Sequence, residues 1–438
     1  MNNKVGARKW FTFILAGFVG QIAWALENMY LSTYAFYASN DITFISLMTA
    51  LSAVTATVTT LFMGALSDKL HKRKAFIAFG YIIWGLSIAI FAFLDPHSKL
   101  SIVGNSMFMA GTMIVIMDCV MTFFGSTSND AAFNAYVTDN TEESYRGKVE
   151  SVLSILPMMS MILIVGLAGM AFGCSTTGGR WDLFFYVIGG ITTAIGIALL
   201  FVIPKDKEYV KPEGIEEEAY FKNIFYGFRP SVVKDNKMLY LCLICFSVFS
   251  IAIQVFFPYL IVYIQSNLGI TDMNFVLTIG IVLVVASIIT VIIGLFMDKW
   301  GKNKLIIPAL AVATIGAILF IFAKTMAFVI ISGLILMSGY MVLTALFGAK
   351  VRDYTPEGKA GLFQGIRMIF VVMIPMVTGP YIGQGLSNIN KQTYINEYGN
   401  VTLLPNNLIF LGTAVVLALT FIPVIILLIN ERKAKVGE

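Results

Sequence analysis

Four ionisable side chains stand inside long apolar stretches of this chain: Glu27, Asp118, Asp130 and Arg367. A charge in such surroundings is costly and by default marks function. A carboxylate held away from bulk water favours its neutral form, so it can load a proton from one side of a barrier and release it on the other. Glu27 is the first choice for such a coupling site and Asp130 the second, as proton site or as acceptor for a solute hydroxyl. Asp118 begins a polar stripe with Thr122, Ser126 and Asn129 at i, i+4, i+8 and i+11. That stripe either lines a cavity or leaves Asp118 near outer water, and the second reading is preferred. Arg367 either pairs with an acid or snorkels to a membrane surface. The two histidines, His71 and His97, fall between apolar stretches, which excludes a buried histidine relay. Cys242 and Cys245 have CxxC spacing inside an apolar run and read as small apolar residues, as do Cys119 and Cys174. No metal-ligand cluster or nucleophile constellation stands out, so neither a metal nor another cofactor is expected.

The elements that must position these groups are membrane helices. Of 438 residues, 58% are hydrophobic and 13% charged, about half the charge of a soluble domain. Twelve crossings of about 20 residues need roughly 240 apolar-compatible positions, which this composition supplies. A soluble enzyme, a disordered chain and a disulfide scaffold are excluded. Long continuous apolar runs, not alternating ones, argue against a β-barrel. The expected spans are 10–37, 42–66, 75–95, 106–138, 148–172, 182–203, 238–264, 273–297, 304–323, 325–348, 361–385 and 407–429. The fourth is polar in its second half. The first is too long for the apolar core of a cleaved signal. Glu27 lies about ten residues from the outer end of span 1, roughly 15 Å in, and Asp130 lies roughly 13 Å from the opposite surface, so both are placed near the midplane.

Twelve spans put both termini on one side. Loops on that side carry 25 of the 30 basic residues, and the other side carries Lys99, Arg180, Lys324 and Lys391. Basic residues favour the cytoplasm, so both termini are expected there, in a multi-pass protein of the cell membrane. The net charge of +5 reports this topology and not a nucleic-acid partner. The longest loop, 204–237, divides an N-terminal six-helix bundle (1–203) from a C-terminal one (238–438). Tyr220, Ile224, Phe225 and Phe228 in that loop have helical spacing and suit either a helix lying on membrane lipids or an ordinary linker.

The halves repeat. Tyr30-Leu31-x-x-Tyr34 matches Tyr259-Leu260-x-x-Tyr263, and Gly64-x-x-x-Asp68-Lys69 matches Gly294-x-x-x-Asp298-Lys299. Val137-x-Asp139-x-Thr141-x-Glu143-x-x-x-Gly147 matches Val351-x-Asp353-x-Thr355-x-Glu357-x-x-x-Gly361. Duplicated six-helix units are a transporter architecture with the substrate near the midplane. Gly64-Ala-Leu-Ser-Asp68-Lys69-Leu-His-Lys72-Arg73-Lys74 resembles the loop signature between helices 2 and 3 of the major facilitator superfamily. The resemblance implies a twelve-helix all-α membrane fold, usually monomeric. It makes Gly64, Asp68, Lys69, Arg73, Asp139, Arg146, Gly147, Gly294, Asp298, Lys299 and Asp353 gating elements that latch the halves, not substrate ligands.

Gly20-Gln21-Ile22-Ala23-Trp24-Ala25-Leu26-Glu27, His71-Lys72-Arg73-Lys74-Ala75-Phe76-Ile77 and Phe257-Pro258-Tyr259-Leu260 resemble the sucrose-transporter branch of the glycoside–pentoside–hexuronide cation symporters. Asn129-Asp130-Ala-Ala-Phe133-Asn134-Ala135-Tyr136-Val137-Thr138-Asp139 is similar to the helix 4 end across that family. The paired helix 2 acids of its sodium-coupled members fall at Ala56 and Thr60, which points away from sodium coupling of that kind. The acid of the sucrose-type helix 7 falls at Tyr263, and the helix 4 base falls near Asn134. In the superfamily helices 1, 4, 7 and 10 line the cavity. A sugar needs hydrogen-bonding groups and an aromatic platform. The candidates are Gln21, Trp24 and Asn28 on span 1, Asn134, Tyr259 and Tyr263, Tyr340 beside Thr344, and Gln364 and Arg367. The leading expectation is proton-coupled import of a sugar or glycoside. The alternatives are an efflux antiporter for drugs or metabolites, faintly suggested by Gly379-Pro380-x-x-Gly383 and the 22 methionines, and a membrane enzyme or sensor.

Overall fold

The computed structural model describes residues 6–70, 72–141, 149, 152–153, 155–204, 226–356, 360–389, 391–395 and 401–436. Eleven helices among them are long and apolar enough to cross a membrane. In chain order these and one shorter apolar helix are α1 (Arg8–Ser39), α2 (Ile42–Ser67), α3 (Arg73–Phe93), α4 (Met107–Asp139), α5 (Leu156–Ala171), α6 (Trp181–Val202), α7 (Lys237–Asn267), α8 (Asp272–Met297), α9 (Lys302–Ile321), α10 (Met326–Tyr354), α11 (Gly365–Ile389) and α12 (Leu408–Lys433). All twelve expected spans have a counterpart here. The chain divides into two compact units, Met1–Ile224 and Phe225–Glu438. Of the expected linker, 205–225 lies outside the described residues, with Tyr220, Ile224 and Phe225. Tyr226–Phe228 forms a 3₁₀ turn before the short helix Pro230–Asp235. Arg146 and Gly147 also lie outside the described residues.

Local chemistry sets the helix ends. Asn40 takes a left-handed conformation (φ 52°) that closes α1, and Asp41 then accepts the Thr43 N–H at 2.8 Å to open α2. Ser106 caps α4 and Thr325 caps α10 through their hydroxyls. Gly301 (φ 86°) turns the chain between α8 and α9. The expectation missed one element. A two-stranded antiparallel hairpin, β1 (Gln392–Ile395) with β2 (Val401–Leu404), joins α11 to α12 and pairs Gln392 with Leu404. Four-residue strands in a polar connection leave too little alternation to read.

The repeat seen in the sequence is also a repeat of packing. In the first unit α1 packs on α5 and α6, α2 on α4, and α3 on α6; in the second, α7 packs on α11 and α12, α8 on α10, and α9 on α12. The duplicated tyrosines sit in these contacts. Tyr30 packs against Trp181 and Phe184 at the start of α6, with centroids 6.3 and 5.9 Å away. Tyr34 packs on Trp181 and Phe185, and its hydroxyl donates to the Phe91 carbonyl at 2.7 Å. In the second unit Tyr263 packs on Phe410 at the start of α12 (5.2 Å), and Tyr259 donates to the Pro380 carbonyl of α11 at 2.8 Å. The outward faces are apolar, as lipid contact requires: Leu295 is 78% exposed and Phe108 74%.

Small residues allow the closest approaches. A Cβ on Gly85 of α3 would stand 2.4 Å from the Thr193 backbone nitrogen and 2.6 Å from the Gly189 carbonyl of α6. Backbone cannot yield as a flexible side chain can. Gly85→Val is therefore expected to lower stability by about 1–3 kcal/mol, whereas Gly190→Ala, with open space around its Cβ position, leaves it unchanged. Thermal unfolding of the detergent-purified variants, followed by tryptophan fluorescence, checks the pair.

Candidate functional site

The acids of the first unit are brought together by two departures from regular helix. α1 widens into a π-turn over Glu27–Leu31, and α4 does so over Ser126–Phe133. Such bulges free carbonyls and are frequent at functional sites. Local side chains answer the freed groups. Asn28 Nδ2 donates to the Trp24 carbonyl at 2.8 Å, Thr127 and Ser128 hydroxyls donate to the Phe123 and Phe124 carbonyls, and Asn134 Nδ2 donates to the Asp130 carbonyl at 3.0 Å.

Glu27 is 8% exposed. Its Oε1 accepts from Ser52 of α2 at 2.7 Å and from Thr122 of α4 at 3.3 Å, and the two hydroxyls lie 2.8 Å apart. Its Oε2 is buried and without a hydrogen-bond partner. Asp118, one turn before Thr122, is 1% exposed, and both its oxygens are likewise buried and unpartnered. This corrects the preference for outer water: the stripe from Asp118 to Asn129 faces inward, and Glu27 is the charged group acting on Asp118. Periodicity had shown the stripe but not which way α4 turns.

Asp130 sits two turns along α4 from Thr122 and is only partly buried. Ser126 Oγ donates to it at 3.1 Å and Asn129 Nδ2 at 3.3 Å, and the Trp24 indole of α1 is a further hydrogen-bonding neighbour. Asn129 Oδ1 lies 3.0 Å from the Tyr81 hydroxyl of α3, which reaches the Ala16 carbonyl of α1 at 2.8 Å. Gly20 makes this crossing possible, because a Cβ there would stand 2.5 Å from both Asn129 Oδ1 and the Tyr81 oxygen. Trp24 rests on Trp84 with centroids 5.1 Å apart. Gln21 and Trp24 are half-buried, and Asn28 and Asn134 are exposed, so these four offer polar or aromatic surface beside the buried acids. Among the described residues of this unit no lysine or arginine is buried. Ser52 and Tyr81 were missed by sequence reading, because hydroxyls are common in these helices and these two carry no spacing signal, whereas Thr122 was visible as part of the stripe.

In the second unit the placements differ. Tyr259 is fully buried and Tyr263 is 3% exposed within the α7–α12 contact. The expectation that they bind substrate is corrected: one hydroxyl is spent on the Pro380 carbonyl, and the other ring is enclosed by Phe320 and Phe410. Tyr340 of α10 stacks on Phe249 at 5.9 Å beside Thr344 and keeps some exposure. Gln364 lies on the helix Ala360–Met368. Arg367, near the start of α11, is exposed, with Arg352 the charged group acting on it. Gly379 and Gly383 press on α7 at Gln254 and Val255, so the Gly-Pro segment is a packing device.

The basic loop ends also repeat in space. Arg73 at the start of α3 pairs with Asp139 at the end of α4 at 3.3 Å and also donates to Ser67 near the end of α2. Lys302 at the start of α9 pairs with Asp353 at the end of α10 at 2.7 Å. Lys350, 3% exposed, pairs with Glu431 of α12, which also accepts from Asn303. Gly64 and Gly294 have open or ordinary contact space. Lys69 and Lys299 are exposed in the last turns of their helices, which also carry Asp68 and Asp298.

The sequence profile described as Major Facilitator Superfamily matches residues 10–380. The chain belongs to this superfamily. It is a transporter by family, not an enzyme. Its fold is similar to that of the nucleoside transporter NupG, at 10% identity and a TM-score of 0.65 over 95% of this chain and 98% of that one. It is similar to a bacterial homologue of the human lysosomal transporter Spinster, solved inward-facing and unoccupied, at 10% identity and 0.65 over 98% and 96%. It is also similar to the xylose transporter XylE from E. coli, at 14% identity and 0.63 over 94% and 97%. No curated protein sequence matches significantly. Such identities establish the fold alone.

The assignment of Tyr259 to packing makes a prediction. Tyr259→Phe removes the buried hydrogen bond to the Pro380 carbonyl and is expected to cost about 0.5–1.5 kcal/mol. A smaller loss is expected for Tyr263→Phe, whose ring packing is retained. Thermal unfolding of both variants measures the difference.

Proposed function

We propose that this major facilitator protein imports a sugar or glycoside with protons, by alternating access, and that Glu27 carries the proton. The observation that carries the reading is the setting of Glu27. It is buried on a π-turn of α1, bonded to hydroxyls from α2 and α4, in a unit where no lysine or arginine is buried among the described residues. With no base to neutralise it, a buried acid needs a proton when it is shut away from water. Release of that proton is then tied to the opening of the site. Asp130 stands on the same face, partly open and held by Trp24, Ser126 and Asn129. Gln21, Trp24, Asn28, Asp130 and Asn134 supply donors, acceptors and an indole surface, which suits a ring bearing hydroxyls. In the second unit, taken by itself, we propose Tyr340, Gln364 and Arg367 as residues that contact solute.

Two similar folds belong to proteins named as transporters of xylose and of nucleosides, both solutes with a sugar ring. The sucrose-type branch is our finer reading and rests on the motifs around Gln21 to Glu27 and Asn129 to Asp139. The paired ends Arg73–Asp139 and Lys302–Asp353 serve as latches at the basic ends of the helices, with Asp68, Lys69, Asp298 and Lys299 beside them. Both termini and these ends are cytoplasmic in this reading, in the cell membrane, by the excess of basic residues.

Proton movement into proteoliposomes on adding solute tests the proposal across disaccharides, glycosides and cationic drugs. Wild type is expected to take up protons with a disaccharide or glycoside, and Glu27→Gln to lose the proton signal by about 10²-fold or more. Proton flow opposite to a drug, with no sugar response, overturns the reading in favour of efflux.

A further inference from the structure

Three carboxylate oxygens among the described residues of the first unit lie buried without a donor: Glu27 Oε2, Asp118 Oδ1 and Asp118 Oδ2. Carboxylate oxygens only accept, and each hydroxyl brings a single proton. Ser52 gives its proton to Glu27 Oε1. The proton of Thr122 is committed to the same oxygen or to Ser52. No hydroxyl proton of this cluster is left for Asp118. The other groups acting here are Asp130, which is itself an acid, and the thiol of Cys119, whose hydrogen-bonding neighbour is Thr55 of α2. No buried base stands in the unit among the described residues. Two charged carboxylates side by side in such a place repel each other, and neither is compensated.

We infer that Glu27 and Asp118 form one two-carboxylate proton site, in which a single proton is shared between the two acids beside the Ser52 hydroxyl. The proton supplies the missing donor: the protonated acid donates and the charged one accepts. It also removes one of the two like charges. Ser52 is bonded to Glu27 and to Thr122, one turn along α4 from Asp118, so the two acids meet at the same hydroxyl pair. Asp118 thereby becomes the partner that sets when Glu27 gains or gives up its proton, and the motion of α1 against α4 alters their separation. This deepens the proton-coupled reading and rests on it for the use of the site in transport. The existence of the shared proton rests on the geometry of the first unit alone.

Infrared spectroscopy of the purified, lipid-reconstituted protein at neutral pH tests the proposal without any solute. A carboxylic acid C=O band that shifts on transfer to D₂O is expected in wild type. It is expected to be lost or displaced in Asp118→Asn and in Glu27→Gln, restored in Asp118→Glu, and unaffected in Asp139→Asn. Ser52→Ala, which keeps both acids, is expected to retain the band at a displaced frequency, and serves if the acid variants fail to fold. The proposal is overturned if the band survives both Asp118→Asn and Glu27→Gln, or if only Asp130→Asn removes it. It is also overturned if replacing potassium by sodium abolishes the band, since the oxygens would then hold a metal cation. Failure of every sugar in the proteoliposome panel would sink the sugar reading and leave this band untouched, so the two failures are distinguishable.

Discussion

Burial of Glu27 and Asp118 in an apolar bundle, with no buried base among the described residues of the unit, is the constraint around which the first unit is organised. A charge there would be expensive, yet the chain keeps two acids together and a third nearby. The surrounding structure provides for them. The π-turn of α1 aims Glu27, the hydroxyls of Ser52 and Thr122 give it partners, and the widened part of α4 brings Asp130 within reach of Trp24. Glycine at position 20 lets α1 and α4 come close enough for these contacts. Small residues thus allow the close helix crossings, and the crossings bury the acids on which the proposed proton coupling depends.

The second unit shares the scaffold without the acids. Its helices pack in the same pairs, its duplicated tyrosines lock α7 to α11 and α12, and its basic ends close on Asp353 as those of the first unit close on Asp139. Where α1 carries Glu27, the corresponding position of α7 is Phe256, directly before the 3₁₀ turn Phe257–Tyr259. On the common frame, the first unit buries acids without a base among its described residues, and the second buries the Lys350–Glu431 pair and stacks Tyr340 on Phe249.

Much of this was legible in the sequence, for physical reasons. Long apolar runs allow few structures in lipid, so the number and order of the helices followed from composition and spacing. Glu27 and Asp130 were visible because charge inside an apolar run has few cheap explanations. The direction of a helix face was not legible. Asp118 was placed toward outer water because periodicity defines a stripe but not its neighbour, and only packing on α2 turns it to Ser52. Tyr259 and Tyr263 misled for the converse reason. A repeated motif marks what both halves need, and here the shared need is the contact of α1 with α6 and of α7 with α12.

Proton binding by the protein itself tests the central claim most directly. A pH-sensitive dye in weakly buffered detergent solution can follow the purified protein as a transported disaccharide binds. The account predicts that binding changes the number of protons held, and that the change disappears in Glu27→Gln while the sugar still binds. A proton change of wild-type size in Glu27→Gln, lost instead in Asp130→Asn, would contradict it.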